Sequence, residues 1–356
     1  MQQDSSAFHP GAFLGTYVFG REGIDATGGR YAVAGLSTAD GNGSLTNISA
    51  DSDDAFAGAA TASGGSGTYT IGTSGRGTST ITIDGQTSNL VTYVVSPSEQ
   101  LTLSTDFVDS VHPIQSGENK LQTMAAFPAY LPNGSEYVFY TTGIDRLNAG
   151  STASLGQATF TGSSGNATVT LDVNDNGVEA AETVGQATFT IAPNGRMTAA
   201  GQGLGNNPPI IYLVDQTQGF LVGTDPNGSS GYFQQQIGGP FSTGSLSGQA
   251  FFGGSAPAAG SSYDSGTLSF DASSGTITGT DDGSSTSLLS VSGAPVPYAF
   301  STSSSFAPAA PGQGLFGNSI LAYIVSTSPL KVVFMQLGAT PQDPSAHPAE
   351  LFTGQQ

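Results

Sequence analysis

The chain has 356 residues, of which 51 are Gly, none is Cys or Trp and only 9% are charged, where an average globular protein is about a quarter charged. Its 26 acidic groups outnumber 7 basic ones, for a formal charge of −19; Lys120, Lys331 and scattered Arg do not supply the clustered cations that phosphate backbones need, which excludes nucleic acid and anionic membranes as partners. No apolar run approaches the roughly 18 residues of a spanning helix, so the chain is not expected to span a membrane.

The opening MQQDSSAFHP has neither the basic nor the apolar region of a signal peptide, and residues 1–10 read as a flexible segment. Low charge with abundant Gly, Ser and Thr suggests an exported bacterial protein, secreted or at the cell surface. The numbered chain is then a mature or trimmed form whose export signal, or whose lipid-anchored precursor sequence, has been removed. The absence of cysteine suits a surface protein that avoids disulfide chemistry. The 12 Tyr and 20 Phe recur at ordered intervals, which argues against disorder.

From residue 11 the chain alternates. Tyr17/Phe19, Tyr69/Ile71, Ile81/Ile83, Tyr93/Val95 and Leu101/Leu103 each put two apolar side chains on one face, the period of a strand. The intervening DGNG and SGRG supply residues that accept the positive φ of tight hairpins. This first unit spans 11–124. A second, 131–237, repeats it: YVFGREGID from Tyr17 returns as YVFYTTGID from Tyr137, and YTIGTSGRGT from Tyr69 as FTIAPNGRMT from Phe189, both at an offset of 120. YVVSPSEQLTLSTD from Tyr93 returns as YLVDQTQGFLVGTD from Tyr212 at 119. A third, diverged unit over 244–352 matches FTGSSGNATVTLD from Phe160 with FDASSGTITGTDD from Phe270, and carries YIVSTSPLKVVFMQ from Tyr323. Such order at a constant spacing marks a tandem repeat.

About seven or eight strands per unit, joined by hairpins, leave no room for crossover helices. A meander of that size removes its exposed edges by closing on itself. The expected fold is all-β: three tandem antiparallel up-and-down β-barrel-like domains of about 110–120 residues, with β-sandwich repeats or a parallel β-helix as alternatives. A β-helix would show a period of roughly 20 residues, and none is visible. The repeated G-x-Y-x-F, G-x-D, DGNG, GTYTI, GRGT and YVVS elements resemble tandem domains of exported proteins and lipoproteins of soil bacteria, notably Acidobacteria, and the strand order is similar to lipocalin or calycin barrels. The resemblance implies fold and export, and no activity or catalytic residues.

Two sets of candidate site residues emerge. Tyr17, Phe19, Tyr93, Tyr137, Phe139, Tyr212 and Tyr323 are placed to line or fill a barrel lumen. In LDVNDNGVEAAE (171–182), Asp172, Asn174 and Asn176 followed by Gly177, with Glu182 beyond, resemble a calcium loop; the same residues also suit a hairpin corner. The acidic stretch DSDDAFAG (51–58) reads as the equivalent corner in the first unit. Arg76 and Arg196 recur in one hairpin with no acidic neighbour in sequence, and His9, His112 and His347 fall near termini or in Pro-containing segments. YDSGT at Tyr263–Thr267 resembles half of an aspartic-protease pair. No catalytic constellation is assembled, and no cofactor beyond calcium is indicated. The expectation is a non-enzymatic extracellular or cell-surface structural or adhesive protein, a subunit of an extracellular assembly, partnered by itself, other surface proteins or polysaccharide. The alternatives are a lipocalin-like module holding a small apolar ligand and a polysaccharide-active enzyme.

Overall fold

Alternation builds strands throughout, and hairpins join each strand to the next. The computed structural model describes residues 3–109, 111–145, 150–255, 263–281, 296–299, 313–316, 320–337, 349 and 351–356. The first barrel comprises β1 (Leu14–Ile24), β2 (Arg30–Asp40), β3 (Ser44–Asp54), β4 (Gly58–Ile71), β5 (Arg76–Ile83), β6 (Gln86–Ser96), β7 (Glu99–Ser104) and β8 (Ile114–Leu121). The second comprises β9 (Glu136–Asp145), β10 (Gly150–Thr161), β11 (Asn166–Asp175), β12 (Val178–Ile191), β13 (Arg196–Ala200), β14 (Ile210–Leu213), β15 (Gln218–Val222) and β16 (Ser230–Gln235). The third comprises β17 (Gly248–Ser255), β18 (Tyr263–Asp271), β19 (Thr276–Asp281), β20 (Val296–Ala299), β21 (Gln313–Phe316), β22 (Ile320–Thr327), β23 (Leu330–Gln336) and β24 (Leu351–Gln355).

Each set is antiparallel, follows sequence order and closes on itself, so the chain forms three tandem eight-stranded barrels rather than sandwiches or a β-helix. In the first barrel closure is made by β1 with β8, from Tyr17 opposite Leu121 to Ile24 opposite Ile114. In the third it is made by β17 with β24.

One cross-strand pair recurs in all three barrels. Phe19 lies opposite Gly35, Phe139 opposite Gly156 and Phe252 opposite Gly266. Each ring lies over its glycine: a Cβ at Gly35 would fall 2.5 Å from Phe19 Cζ, at Gly156 2.7 Å from Phe139 Cζ and at Gly266 2.9 Å from Phe252 Cε1. The glycine makes room for an inward ring, and the ring covers backbone that a glycine strand would leave bare.

The lumen of the third barrel is filled by aromatics. Phe270, Tyr298, Phe316 and Phe334 are all buried, with Tyr298 and Phe316 stacked at 5.1 Å and Phe316 edge-on to Phe334 at 5.3 Å. The first barrel is closed at one end by the N-terminal segment. Residues 3–13 carry a 3-10 turn at Ser5–Ala7 and another at Pro10–Ala12; Asp4 N–H donates to the Val95 carbonyl, and Ala7 is fully buried. Tyr69 donates its hydroxyl to the carbonyls of Pro10 and Phe13, which ties this cap to the barrel wall.

Two compact units divide the chain. One holds Met1–Leu131, Thr188–Ala200 and Gly205–Phe233; the other holds Pro132–Ala187, Gly201–Leu204 and Gln234–Gln356. The second barrel contributes strands to each.

Replacing Gly35 with Val forces two groups of a packed wall apart, since the new Cβ would also meet the Ser49 carbonyl at 2.3 Å. Gly35→Val is expected to cost about 1–3 kcal/mol, measured as a lowered urea midpoint by circular dichroism; an unchanged midpoint would show that the Phe–Gly pair is dispensable.

Candidate functional site

The alternation that builds β1 carries one side chain out of character with its face. Tyr17, Phe19 and Arg21 share the inward phase, so Arg21 enters the lumen of the first barrel. It is 8% exposed. Its Nε donates to Thr102 Oγ1 at 3.2 Å and its Nη2 to Asn119 Oδ1 at 3.3 Å, while the guanidinium carbon sits 4.3 Å from the centre of the Phe19 ring. Ion pairs include Arg30–Glu22, His112–Asp109, Lys120–Glu118 and Arg196–Asp51; Arg21 has no carboxylate partner among the described residues. Burial pulls its pKa down to about 10, opposed by Tyr31, so it remains a cation at neutral pH.

A cavity of about 40 Å³ adjoins this cation, lined by Phe13, Tyr17, Arg21, Leu45, Tyr69, Ile71, Ile81, Thr92, Gln100 and Asn119 among others. Gln100 Oε1 accepts from Asn119, whereas its buried Nε2 meets no acceptor. One cavity thus holds a buried cation without an anion and a buried N–H donor without an acceptor. Both deficits are met by one kind of guest, an anionic oxygen. The space takes two or three waters, or the head of a small anion, at roughly 10–15 Å³ each. It falls well short of the several hundred Å³ that hold a drug-sized apolar ligand. Such a field also stabilises negative charge developing on a bound group.

The expected lumen residues divide by phase. Tyr17, Phe19, Tyr137 and Phe139 are inward and buried; Tyr17 lines the cavity, and Tyr137 packs edge-on against Phe160 at 5.5 Å. Tyr93, Tyr212 and Tyr323 point outward, and their placement in a lumen is corrected here. Period two distinguishes two faces of a strand without saying which is inside, and outward residues are buried when another surface covers them. Within the compact unit that holds Met1–Leu131 and Gly205–Phe233, Val18, Ala32, Ala34 and Leu36 of the β1–β2 outer face pack with Tyr212, Val214, Phe220 and Val222.

A polar knot sits beside that apolar patch. Arg196 grips the Asp51 carboxylate with two bonds, Nε to Oδ2 at 2.7 Å and Nη2 to Oδ1 at 2.9 Å; the Tyr212 hydroxyl donates to Oδ2 at 2.6 Å and Thr61 donates to Oδ1. Burial pushes the Asp51 carboxyl up, but the bonds from Arg196, Thr61 and Tyr212 outweigh it and hold it below its ordinary value. Asp51 and Asp53, expected at a corner, instead occupy the buried half of β3. Asp53 Oδ2 accepts from Ser229 N–H at 2.8 Å, its Oδ1 is buried without a donor, and Asp225 lies alongside. Burial, opposed by the Ser229 N–H and reinforced by the Asp225 charge, pushes Asp53 up to about 7; burial raises Asp225 as well.

The residues of the calcium-like loop serve a corner and a packed face. Asn176 has φ +52°, and Asn174 Oδ1 accepts from Gly177 N–H. Asn174 Nδ2 donates to the Gln336 carbonyl, and Asp172 Oδ2 accepts from Gln313. The Glu182 side chain lies outside the described residues, as do those of His347 and of Asp264 in YDSGT. His112 pairs with exposed Asp109 at 2.9 Å, which raises its pKa.

No family model matches the chain, and no curated protein matches it. A solved structure that does match is kievitone hydratase from Nectria haematococca, 8% identical, covering 66% of this chain and 92% of its own, with a TM-score of 0.26. The expectation of a non-enzymatic structural or adhesive protein is corrected here. It rested on tandem barrels, low charge, hydroxyl-rich faces and the lack of a catalytic constellation in the sequence; the matching structure is an enzyme's, and nothing in the comparisons supports a structural or adhesive role. At that TM-score the likeness assigns no reaction, substrate or residue to this chain.

Asp53 generates a pH prediction. An acid whose pKa is higher folded than unfolded binds more protons in the native state, so its favourable contribution is complete below its unfolded value and is lost as pH climbs through the folded one. For Asp53 the window runs from 3.8 to about 7, and the loss across it is on the order of 4 kcal/mol. Stability from denaturant unfolding is expected to fall between about pH 4 and pH 7, and Asp53→Asn to flatten that fall. An equally steep fall in the variant would assign it to other groups.

Proposed function

We propose that the first barrel is a binding protein for a small organic anion, a carboxylate being the class that suits it best. The observation that carries this is the buried Arg21 guanidinium, bonded only to neutral side chains in a cavity whose Gln100 amide also lacks an acceptor. An unpaired buried charge costs several kcal/mol, and a bound anion offsets that cost. Arginine presents its N–H groups as a planar fork, which a carboxylate meets with two parallel bonds. Phe13, Tyr17, Leu45, Tyr69, Ile71 and Ile81 supply apolar and aromatic wall around the charged end. Export to the cell surface, which the composition suggested, belongs to the same proposal.

The expected behaviour separates binding from folding. Arg21→Met removes the charge while keeping an unbranched side chain of similar length. It is expected to abolish binding of acetate and formate measured by calorimetry, a loss of at least tenfold in affinity, and to leave the empty protein as stable as before or more so, because a buried cation without a partner is replaced by an apolar group. Acetamide, neutral and of acetate's shape, is expected not to bind. A variant that loses stability, in a protein indifferent to every small carboxylate, would make Arg21 a structural residue and overturn the proposal.

A further inference from the structure

The outward tyrosines mark one position repeated in three barrels. Register defines it: Arg76 lies opposite Tyr93 and Tyr93 opposite Leu101; Arg196 opposite Tyr212 and Tyr212 opposite Phe220; Gln313 opposite Tyr323 and Tyr323 opposite Val333. These three rows are the same socket. In the second barrel it is filled, because Tyr212 is 1% exposed and its hydroxyl and Arg196 both bind Asp51 of β3. In the third it is filled as well: Tyr323 is fully buried, and Gln313, at the arginine's place, donates to Asp172 of β11. In the first barrel the row is open, with Tyr93 45% exposed, Leu101 and Leu103 similarly so, and Arg76 exposed.

The face that fills these sockets is repeated too. Val18 lies opposite Leu36 and Leu36 opposite Ser49; Val138 lies opposite Gln157 and Gln157 opposite Thr170; Phe251 lies opposite Thr267 and Thr267 opposite Thr280. Val18 and Val138 are fully buried, yet Phe251 is 72% exposed and the Thr267–Thr280 hydroxyl pair beside it is also exposed. One chain therefore carries an unfilled socket and an unused plug of a joint that it makes twice elsewhere.

We infer that the Arg76–Tyr93–Leu101 row of the first barrel is a docking surface for a second copy of this chain, which enters by the Phe251 face of its third barrel. Tyr93 and Leu101 bury against Phe251, as Tyr212 and Phe220 pack with Val18, and Arg76 faces the hydroxyl-bearing edge. The pairing is heterologous, since socket and plug are different surfaces. Two unlike faces that are each left exposed, on a chain that already joins such faces, favour self-association over a partner of unrelated sequence.

A chain without cysteine offers a direct test. Leu101→Cys and Phe251→Cys proteins, mixed under oxidising conditions, are expected to form a disulfide-linked dimer that neither forms alone. Sedimentation of the unmodified chain is expected to show concentration-dependent association, weakened at least tenfold by Tyr93→Ser while its thermal unfolding is unchanged. Self-linkage of Leu101→Cys as efficient as the mixture would show a symmetric contact and overturn the head-to-tail pairing. A monomer at every concentration, with no linkage in the mixture, would assign the socket to another protein and overturn the proposal altogether.

Discussion

Closure of each sheet is the constraint on which everything else rests. An eight-stranded antiparallel sheet joined by hairpins has two free edges, and pairing β1 with β8 removes both. Once closed, every strand has an inside and an outside, and the two-residue period assigns each side chain to one of them. The inside must be filled at crystal-like density, which the third barrel does with stacked aromatics. The recurring Phe–Gly pair follows from the same demand: a ring this large enters the wall only where its cross-strand neighbour has no side chain.

The outside of these barrels is not a simple solvent face. On the first barrel a patch of Val18, Ala32, Ala34 and Leu36 receives Tyr212, Phe220 and Val222, and Asp51 accepts from Arg196, Tyr212 and Thr61 next to it. The carboxylate is desolvated, and together these donors outweigh that burial and hold its pKa below the ordinary value. Asp53 is two residues along the same strand and faces the same way, yet has a single backbone donor and an acidic neighbour. The two aspartates show how the number of donors, rather than burial alone, decides whether a buried acid keeps its charge.

The lumen of the first barrel departs from this economy of charge. A protein with only 7 basic groups spends one of them inside a barrel, with no acid to meet it among the described residues. Neutral oxygens of Thr102 and Asn119 and the face of Phe19 soften the desolvation, but they leave the charge uncompensated. That imbalance distinguishes the first barrel from the third, whose described interior is apolar and aromatic.

Much of the architecture was determined by sequence alone. Period-two alternation, turn residues with positive φ and the repeat spacing specify hairpin-linked strands in three copies, because these are local properties of the chain. Arg21 was not singled out from the sequence, although the same rule marks it: it shares the phase of Tyr17 and Phe19, and the second copy has Thr141 in its place. Only the tertiary structure decided which face of each strand is inside, so Tyr93, Tyr212 and Tyr323 could be assigned to an apolar face without being assigned to the outside. It also decided the partners of Asp51, which accepts from Arg196 and Tyr212, 145 and 161 residues away. A local pattern records the period of a strand and the chemistry of a turn; it holds no record of which distant surface will exclude water from a given side chain, and that exclusion is what turned an apparent acidic corner into a buried joint.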